Sequence, residues 1–146
     1  MEPFEFRFAS PTDLAAVRDL YRRLSLSNDG ERAMLLANPD ALEFDDAPIR
    51  EQRTRVALRG ERIVGFATAR PLGDIDELDD RFVDPAWMRC GVARDLIVDA
   101  VAIARSRAAR RIEVTANGHA LEFYAAVGFA LHSMTEPDSD IRIACI

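Results

Sequence analysis

The sequence predicts an α/β fold: a mixed sheet of about six to seven strands, antiparallel in its N-terminal part, with a later parallel strand–helix–strand crossover and helices on both faces. Three observations carry this expectation. Short segments of alternating polarity, separated by turn residues, cluster before residue 83; a long amphipathic pattern follows Gly91; and another alternating segment begins at Arg111. The length of 146 residues suits a single domain, residues 1–146, with one core.

The elements follow in order. Residues 4–8, FEFRF, alternate as a strand, and Ser10-Pro11-Thr12-Asp13 then supplies an N-cap, Pro at the first helical position and an acid three residues after the cap. Leu14, Val17, Leu20, Tyr21 and Leu24 give one apolar face to a helix from about 11 to 24, which stops near Ser27-Asn28-Asp29-Gly30. One or two short helices are expected within 31–53. Arg55–Leu58 and Arg62–Arg70 flank Arg59-Gly60-Glu61 as a hairpin, with Ile63, Gly65, Ala67 and Ala69 on a common face. Glu77–Val83 is a strand closed by Asp84-Pro85. From Val92, the residues Leu96, Ile97, Ala100, Ile103 and Ala104 recur at helical spacing to about 108. Arg111–Ala116 alternates as a strand, Ala120–Val127 is a short helix stopped by Gly128, and strands near 129–135 and 141–146 finish the order. The crossover through the 91–108 helix is expected to be parallel and right-handed.

Composition narrows the partners. With 19 basic and 25 acidic side chains the formal charge is −6, which argues against nucleic acid or an anionic membrane as the main partner. The stretch MEPFEFRFAS carries acids and no long apolar run, so it reads as neither a secretory signal nor a membrane span, and the cytoplasm is the expected location. Cys90 and Cys145 lie far apart without metal-ligand spacing; both read as free thiols, and no metal is expected.

Two stretches carry chemistry. In VDPAWMRCGVARDL, a strand end leads through Met88-Arg89-Cys90-Gly91 straight into a helix, whose unpaired N–H groups and dipole suit a phosphate. Gly91 lacks a Cβ that would hold a phosphate off, and Arg89 and Arg94 bracket the turn with charge. One glycine before a helix is also an ordinary connection. The second stretch, Asn117-Gly-His-Ala-Leu-Glu-Phe123-Tyr124-Ala-Ala-Val-Gly128-Phe129, offers an Asn at a strand end, a Tyr on a short helix and a Gly-Phe exit; taken singly, its aromatics read as core.

Together and in order these pieces resemble the GNAT-type acyl-CoA N-acyltransferase superfamily, over Phe6 to Phe129. Met88-Arg89-Cys90-Gly91-Val92-Ala93 falls on that family's Gln/Arg-x-x-Gly-x-Gly/Ala turn, and Phe123-Tyr124-Ala-Ala-Val-Gly128-Phe129 on its Phe-Tyr-x-x-x-Gly-Phe exit. Met88 departs from the pattern, removing a side-chain donor worth roughly 0.5–1.5 kcal/mol. Arg81 replaces an apolar residue common at its position, and the sequence offers no account of it.

The resemblance implies acetyl-CoA, or another acyl-CoA, as co-substrate. It puts the pyrophosphate on the N–H groups around Arg89, Cys90, Gly91, Val92, Ala93 and Arg94, and the pantetheine arm beside the backbone of Phe82 and Val83, with Asn117 and Phe123 near it. It assigns the thioester oxygen to the Val83 N–H. Glu77 is the first candidate for the base that deprotonates an amine, on a strand face expected to include Asp79 and Val83; Asp79 is second and Glu113 third. A solvated acidic edge accounts equally for each carboxylate alone. Tyr124 is the implied acid for the departing thiolate. Cys90 and His119 are weaker candidates for chemistry, and Arg110-Arg111 reads first as a solvated turn. The implied reaction is direct transfer to a primary amine of a small molecule or peptide in a ternary complex. A non-catalytic acyl-CoA sensor and an interaction module with the same fold stay open, as does a homodimer through the C-terminal strands. The acceptor is expected near residues 25–53, where Glu43, Asp45 and Asp46 suit a cation.

Overall fold

The computed structural model describes residues 4–27, 29–38, 40, 44–87, 90–117, 121–126, 128–134 and 140–145. Among these residues seven strands form one sheet, in the order β1-β2-β3-β4-β5-β7-β6. They are β1 (Glu5–Phe8), β2 (Thr54–Arg59), β3 (Arg62–Leu72), β4 (Ile75–Val83), β5 (Ile112–Asn117), β6 (Ala130–Met134) and β7 (Asp140–Cys145). All neighbours pair antiparallel except β4 and β5, which are parallel because α4 (Val92–Ser106) carries the chain back across the sheet.

The first helix starts where the cap residues put it. A 3₁₀ turn over Pro11–Asp13 leads into α1 (Leu14–Leu26), and the Asp13 carboxylate accepts the Ser10 N–H at 2.7 Å and the Arg7 guanidinium at 2.6 Å. The break after α1 falls at Ser27, whose hydroxyl and N–H both turn back to the Leu24 carbonyl, at 2.7 and 3.3 Å. Asp29 and Gly30 therefore do not form the stop; they open α2 (Asp29–Ala37). A single turn, α3 (Ala47–Arg50), completes the region in which short helices were expected.

Two apolar layers flank the sheet, and strand alternation separates them. Val56, Leu58 and Phe66 face Val17 and Leu20 of α1, whereas Ala57, Ala67, Leu78 and Val83 face Val92, Leu96 and Ile97 of α4. Tyr124 of α5 (Leu121–Ala126) and Phe129 join the α4 layer.

Two bulges alter the expected faces. Ala57 pairs with Gly65 and Leu58 with Ile63, which leaves Val64 without a partner on β2 and turns Ile63 into the α1 layer, away from Gly65 and Ala67. In β4, Thr68 pairs with Asp80 and Ala69 with Leu78, so Asp79 is the inserted residue. The strand face expected to join Glu77 to Val83 is thereby broken. Leu78 and Val83 share the α4 layer, and Glu77, next to Leu78, points to the other side.

Several element ends also differ, among them the far end of α1 at Leu26 and the start of β4 at Ile75. β3 runs on through Pro71 to Leu72, two residues past the expected end, opposite Asp76 and Ile75. Helix α4 closes at Ser106 rather than 108, with Ala108 at φ 60° and the Ala109 N–H on the Ala104 carbonyl at 3.0 Å. The turn expected at Pro137-Asp138-Ser139 lies outside the described residues.

Candidate functional site: a cleft between two diverging strands

The parallel pairing of β4 with β5 covers only Asp76–Leu78 against Ile112–Val114. Beyond the Asp79 bulge the two strands part, and β4 continues unpaired on that side to Val83. The Asp84 N–H donates to the Val64 carbonyl at 2.8 Å, so by alternation the Val83 amide faces away from β3 and into the gap. Asp84, 4% exposed, ends the strand: its Oδ1 accepts the Ala86 N–H at 3.0 Å, and Arg23 and Arg62 lie 3.5 and 3.6 Å from Oδ2.

A cavity of about 490 Å³ occupies this divergence. It brings together Phe82, Val83, Gly91, Val92, Ala93, Arg94 and Phe123, all expected from the sequence, and adds Leu24 and Arg81, which were not. Gly91 is the N-cap of α4 at φ 83°, a left-handed conformation that favours glycine, and a Cβ built there meets nothing within 4 Å. Its first role is thus conformational, with open space where a ligand can approach the main chain. The first α4 bond runs from the Asp95 N–H to the Gly91 carbonyl at 3.0 Å; the amides of Val92, Ala93 and Arg94 precede it and are directed at the helix entrance. Such an entrance suits a diphosphate. Cys90 is an exposed free thiol beside it. Met88 and Arg89 lie outside the described residues, as does His119. Asn117 ends β5, opposite Asp140.

Arg81 is the residue that sequence reasoning missed. Its side chain lies on the Val83 side of β4, because Phe82 between them is held in the opposite layer, 5.2 Å from the Phe66 ring and 5.3 Å from Tyr21. The guanidinium carbon sits 4.5 Å from the Phe123 ring centroid, and Nε donates to the Tyr124 hydroxyl at 3.4 Å. A cation in the strand just ahead of the cofactor-type turn is the signal that could have found it; its partners, 43 residues away for Tyr124, could not be read. Tyr124 does not line the cavity itself: it is 5% exposed, edge-on to Phe123 and Phe129 at 5.2 and 5.3 Å, and reaches the lining through Arg81 and Phe123.

The candidate bases stand apart from the cavity lining. Arg70 pairs across the strands with Glu77 and approaches it at 3.3 Å and Asp79 at 3.7 Å. Burial pushes the Asp79 carboxyl above the usual range; Arg70 opposes this and Glu77 adds to it. Glu113, neighbour of Glu77 on β5, is buried and ion-paired with Arg111. Among the described residues no group of three His, Cys, Asp or Glu could hold a metal, and no helix is long and apolar enough to cross a membrane.

Comparison with solved structures finds the same architecture over nearly the whole chain. The PaiA N-acetyltransferase of Thermoplasma acidophilum, in complex with coenzyme A, superposes with a TM-score of 0.76 at 14% identity, over 99% of each chain. The GCN5-related N-acetyltransferase from Rhodopseudomonas palustris gives 0.77 at 20%, over 99% of this chain and 96% of that one. The ribosomal-protein-S18-alanine N-acetyltransferase of Escherichia coli gives 0.69 at 17%, over 98% and 93%. No curated protein sequence matches. The acetyltransferase (GNAT) family model spans residues 14–129, from the start of α1 through β4, the Gly91 turn and Tyr124 to Phe129, and on that match the chain belongs to the GNAT family.

Proposed function

We propose that the protein transfers an acetyl group, or a related acyl group, from acetyl-CoA to a primary amine of a small molecule or peptide, by direct attack in a ternary complex. The observation that carries this is the cavity joining the free edge of β4, the Gly91 entrance to α4 and Phe123 of α5. The whole chain, residues 1–146, is read as one such domain, with the cytoplasm as its location, where a thiol such as Cys90 stays reduced.

In this reading the amides of Gly91 to Arg94, with Arg89 and Met88 before them, hold the diphosphate. The pantetheine arm lies along Phe82 and Val83, opposite Asn117, with Phe123 beneath it. The acceptor nitrogen attacks the thioester carbon, and the negative charge that develops on oxygen falls to the Val83 amide. As the C–S bond breaks its electron pair stays on sulfur, and Tyr124 supplies the proton that makes the product thiol. An alkylammonium, with pKa about 10.4, must first lose a proton. Glu77 is the proposed acceptor, with Asp79 next. Their absence from the cavity lining calls for an intervening water, and burial raises the Asp79 carboxyl, the direction that makes it the better proton acceptor. Glu113 is the weakest candidate because Arg111 already occupies it.

Thermal unfolding with and without acetyl-CoA, paired with thiol release over a panel of amines, tests the reading. At about 100 times its dissociation constant the ligand contributes about 2.7 kcal/mol, on the order of 5–10 °C for a chain of this size. An unmoved melting temperature at millimolar acetyl-CoA overturns the proposal.

A further inference from the structure

The cleft contains a cation that no described acid neutralises. Arg81 lines the cavity, and among the described residues its partners are the Tyr124 hydroxyl, at 3.4 Å from Nε, and the faces of Phe123 and Tyr124, 4.5 and 5.7 Å from the guanidinium carbon. A phenol oxygen that accepts a hydrogen bond from Nε–H must direct its own O–H elsewhere. Phe123 and Phe129 pack against the Tyr124 ring. The guanidinium carbon lies over the Phe123 ring, a cation–π contact that does not itself use the N–H groups.

We infer that Arg81 is a positioning residue for Tyr124: it orients the phenol so that the O–H faces the departing sulfur, and stabilises the phenolate left when the proton has gone. The inference rests on the acyl-transfer reading above and deepens it. The balance is complete. The amine–carbon bond forms, the carbon–sulfur bond breaks, sulfur takes the Tyr124 proton, and the proton lost by the amine returns to the phenolate through solvent. The hydrogen bond from Arg81 is to a neutral oxygen before transfer and to an anion after it, and a bond to a charged group is the stronger of the two. Its contribution thus grows along the reaction coordinate, which is the condition for raising kcat rather than tightening binding.

The test is a double-mutant cycle of Arg81→Met and Tyr124→Phe, read by thiol release and, independently, by calorimetric titration of acetyl-CoA. Arg81→Met should lower kcat about 10- to 100-fold, the range open to a charged hydrogen bond. Acetyl-CoA affinity should stay within about threefold, and in the Tyr124→Phe background the same change should alter kcat by less than about threefold. Arg81→Gln, which keeps a neutral donor, should fall between Met and the parent, and it serves as the second variant if Met perturbs folding. Multiplicative effects in the cycle overturn the inference, as does weakened acetyl-CoA binding with kcat intact. Selective loss of a carboxylate-bearing donor such as succinyl-CoA, with acetyl-CoA turnover retained, also overturns it, because Arg81 would then read the acyl group. If Tyr124→Phe alone leaves turnover unchanged, the role of Tyr124 in the proposed reaction falls and the inference falls with it. If Tyr124→Phe is impaired and Arg81→Met is not, only the inference fails.

Discussion

Arg55 of β2 grips Asp99 of α4 with two hydrogen bonds, Nε to Oδ2 at 2.8 Å and Nη2 to Oδ1 at 2.9 Å, while its guanidinium lies 4.5 Å from the Phe8 ring centroid. Both side chains are 15% exposed, so the pair is shielded from solvent and screened little by salt. It ties the helix that begins at the cavity to the antiparallel half of the sheet. Asp99→Ala leaves the Arg55 charge without its carboxylate. The expected loss is about 2–4 kcal/mol, seen as a fall of roughly 6–15 °C in the melting temperature.

Two glycines are needed for different reasons, and alanine separates them. At Gly65 a Cβ would lie 2.9 Å from the Phe82 carbonyl oxygen and 3.1 Å from Leu96, so backbone must move. Gly65→Ala should destabilise by about 1–3 kcal/mol in thermal melts. At Gly91 the obstacle is conformational, costing about 1–2 kcal/mol without a clash. Gly91→Ala should weaken acetyl-CoA in calorimetry by more than its stability loss explains, because the new methyl occupies the space a phosphate would approach.

Asp13 and Asp79 should make opposite contributions to the pH dependence of stability. The hydrogen bond from Arg7 holds Asp13 below the ordinary range, against a smaller opposing effect of burial and with help from the Ser10 N–H. Its stabilisation is therefore present above the unfolded value of about 3.9 and is lost as pH falls through the folded value. Asp79, raised chiefly by burial, behaves in reverse. Below about 3.9 it is neutral in both states; as pH rises, the unfolded chain ionises first, and folding is penalised fully once pH passes the raised folded value. In denaturant titrations, Asp13→Asn should be weaker than the parent at pH 7 and equal to it in strong acid. Asp79→Asn should be equal in strong acid and more stable at pH 7.

Tyr124→Phe removes the proposed proton donor while keeping the ring that packs between Phe123 and Phe129. Turnover in a thiol-release assay should fall about 100-fold, the lower end for a general acid, with the KM for acetyl-CoA within a few-fold. Because the ring is retained, the melting temperature should move little.

Local chemistry made much of this fold legible. The Ser10–Asp13 cap, the spacing of Val17 and Leu20, and the turn at Gly60-Glu61 each act within a few residues, and each element formed where these signals put it. The cavity lining from Phe82 to Arg94, with Phe123, was legible through two motifs in sequence order. The bulges at Val64 and Asp79 were not. An inserted strand residue leaves no mark in composition, because what defines it is the register of the neighbouring strand. That is why Ile63 was expected on the face of Gly65, and Glu77 on the face of Val83. Leu24 and Arg81 were missed as lining residues for a related reason: their neighbours in space come from distant parts of the chain.

The unpaired residue in β4 has a consequence for sequence change in this protein. Parity along a strand decides which layer each side chain serves, and Asp79 stands outside that parity just before the positions that line the cleft. A chain lacking Asp79 would alternate regularly from Leu78 to Val83, with Arg81 and Val83 still in the layer of Val92 and Phe82 still in that of Tyr21. Removal of that one residue should therefore spare the sidedness of the cleft and cost only the local bend and twist that a bulge adds where β4 leaves β5.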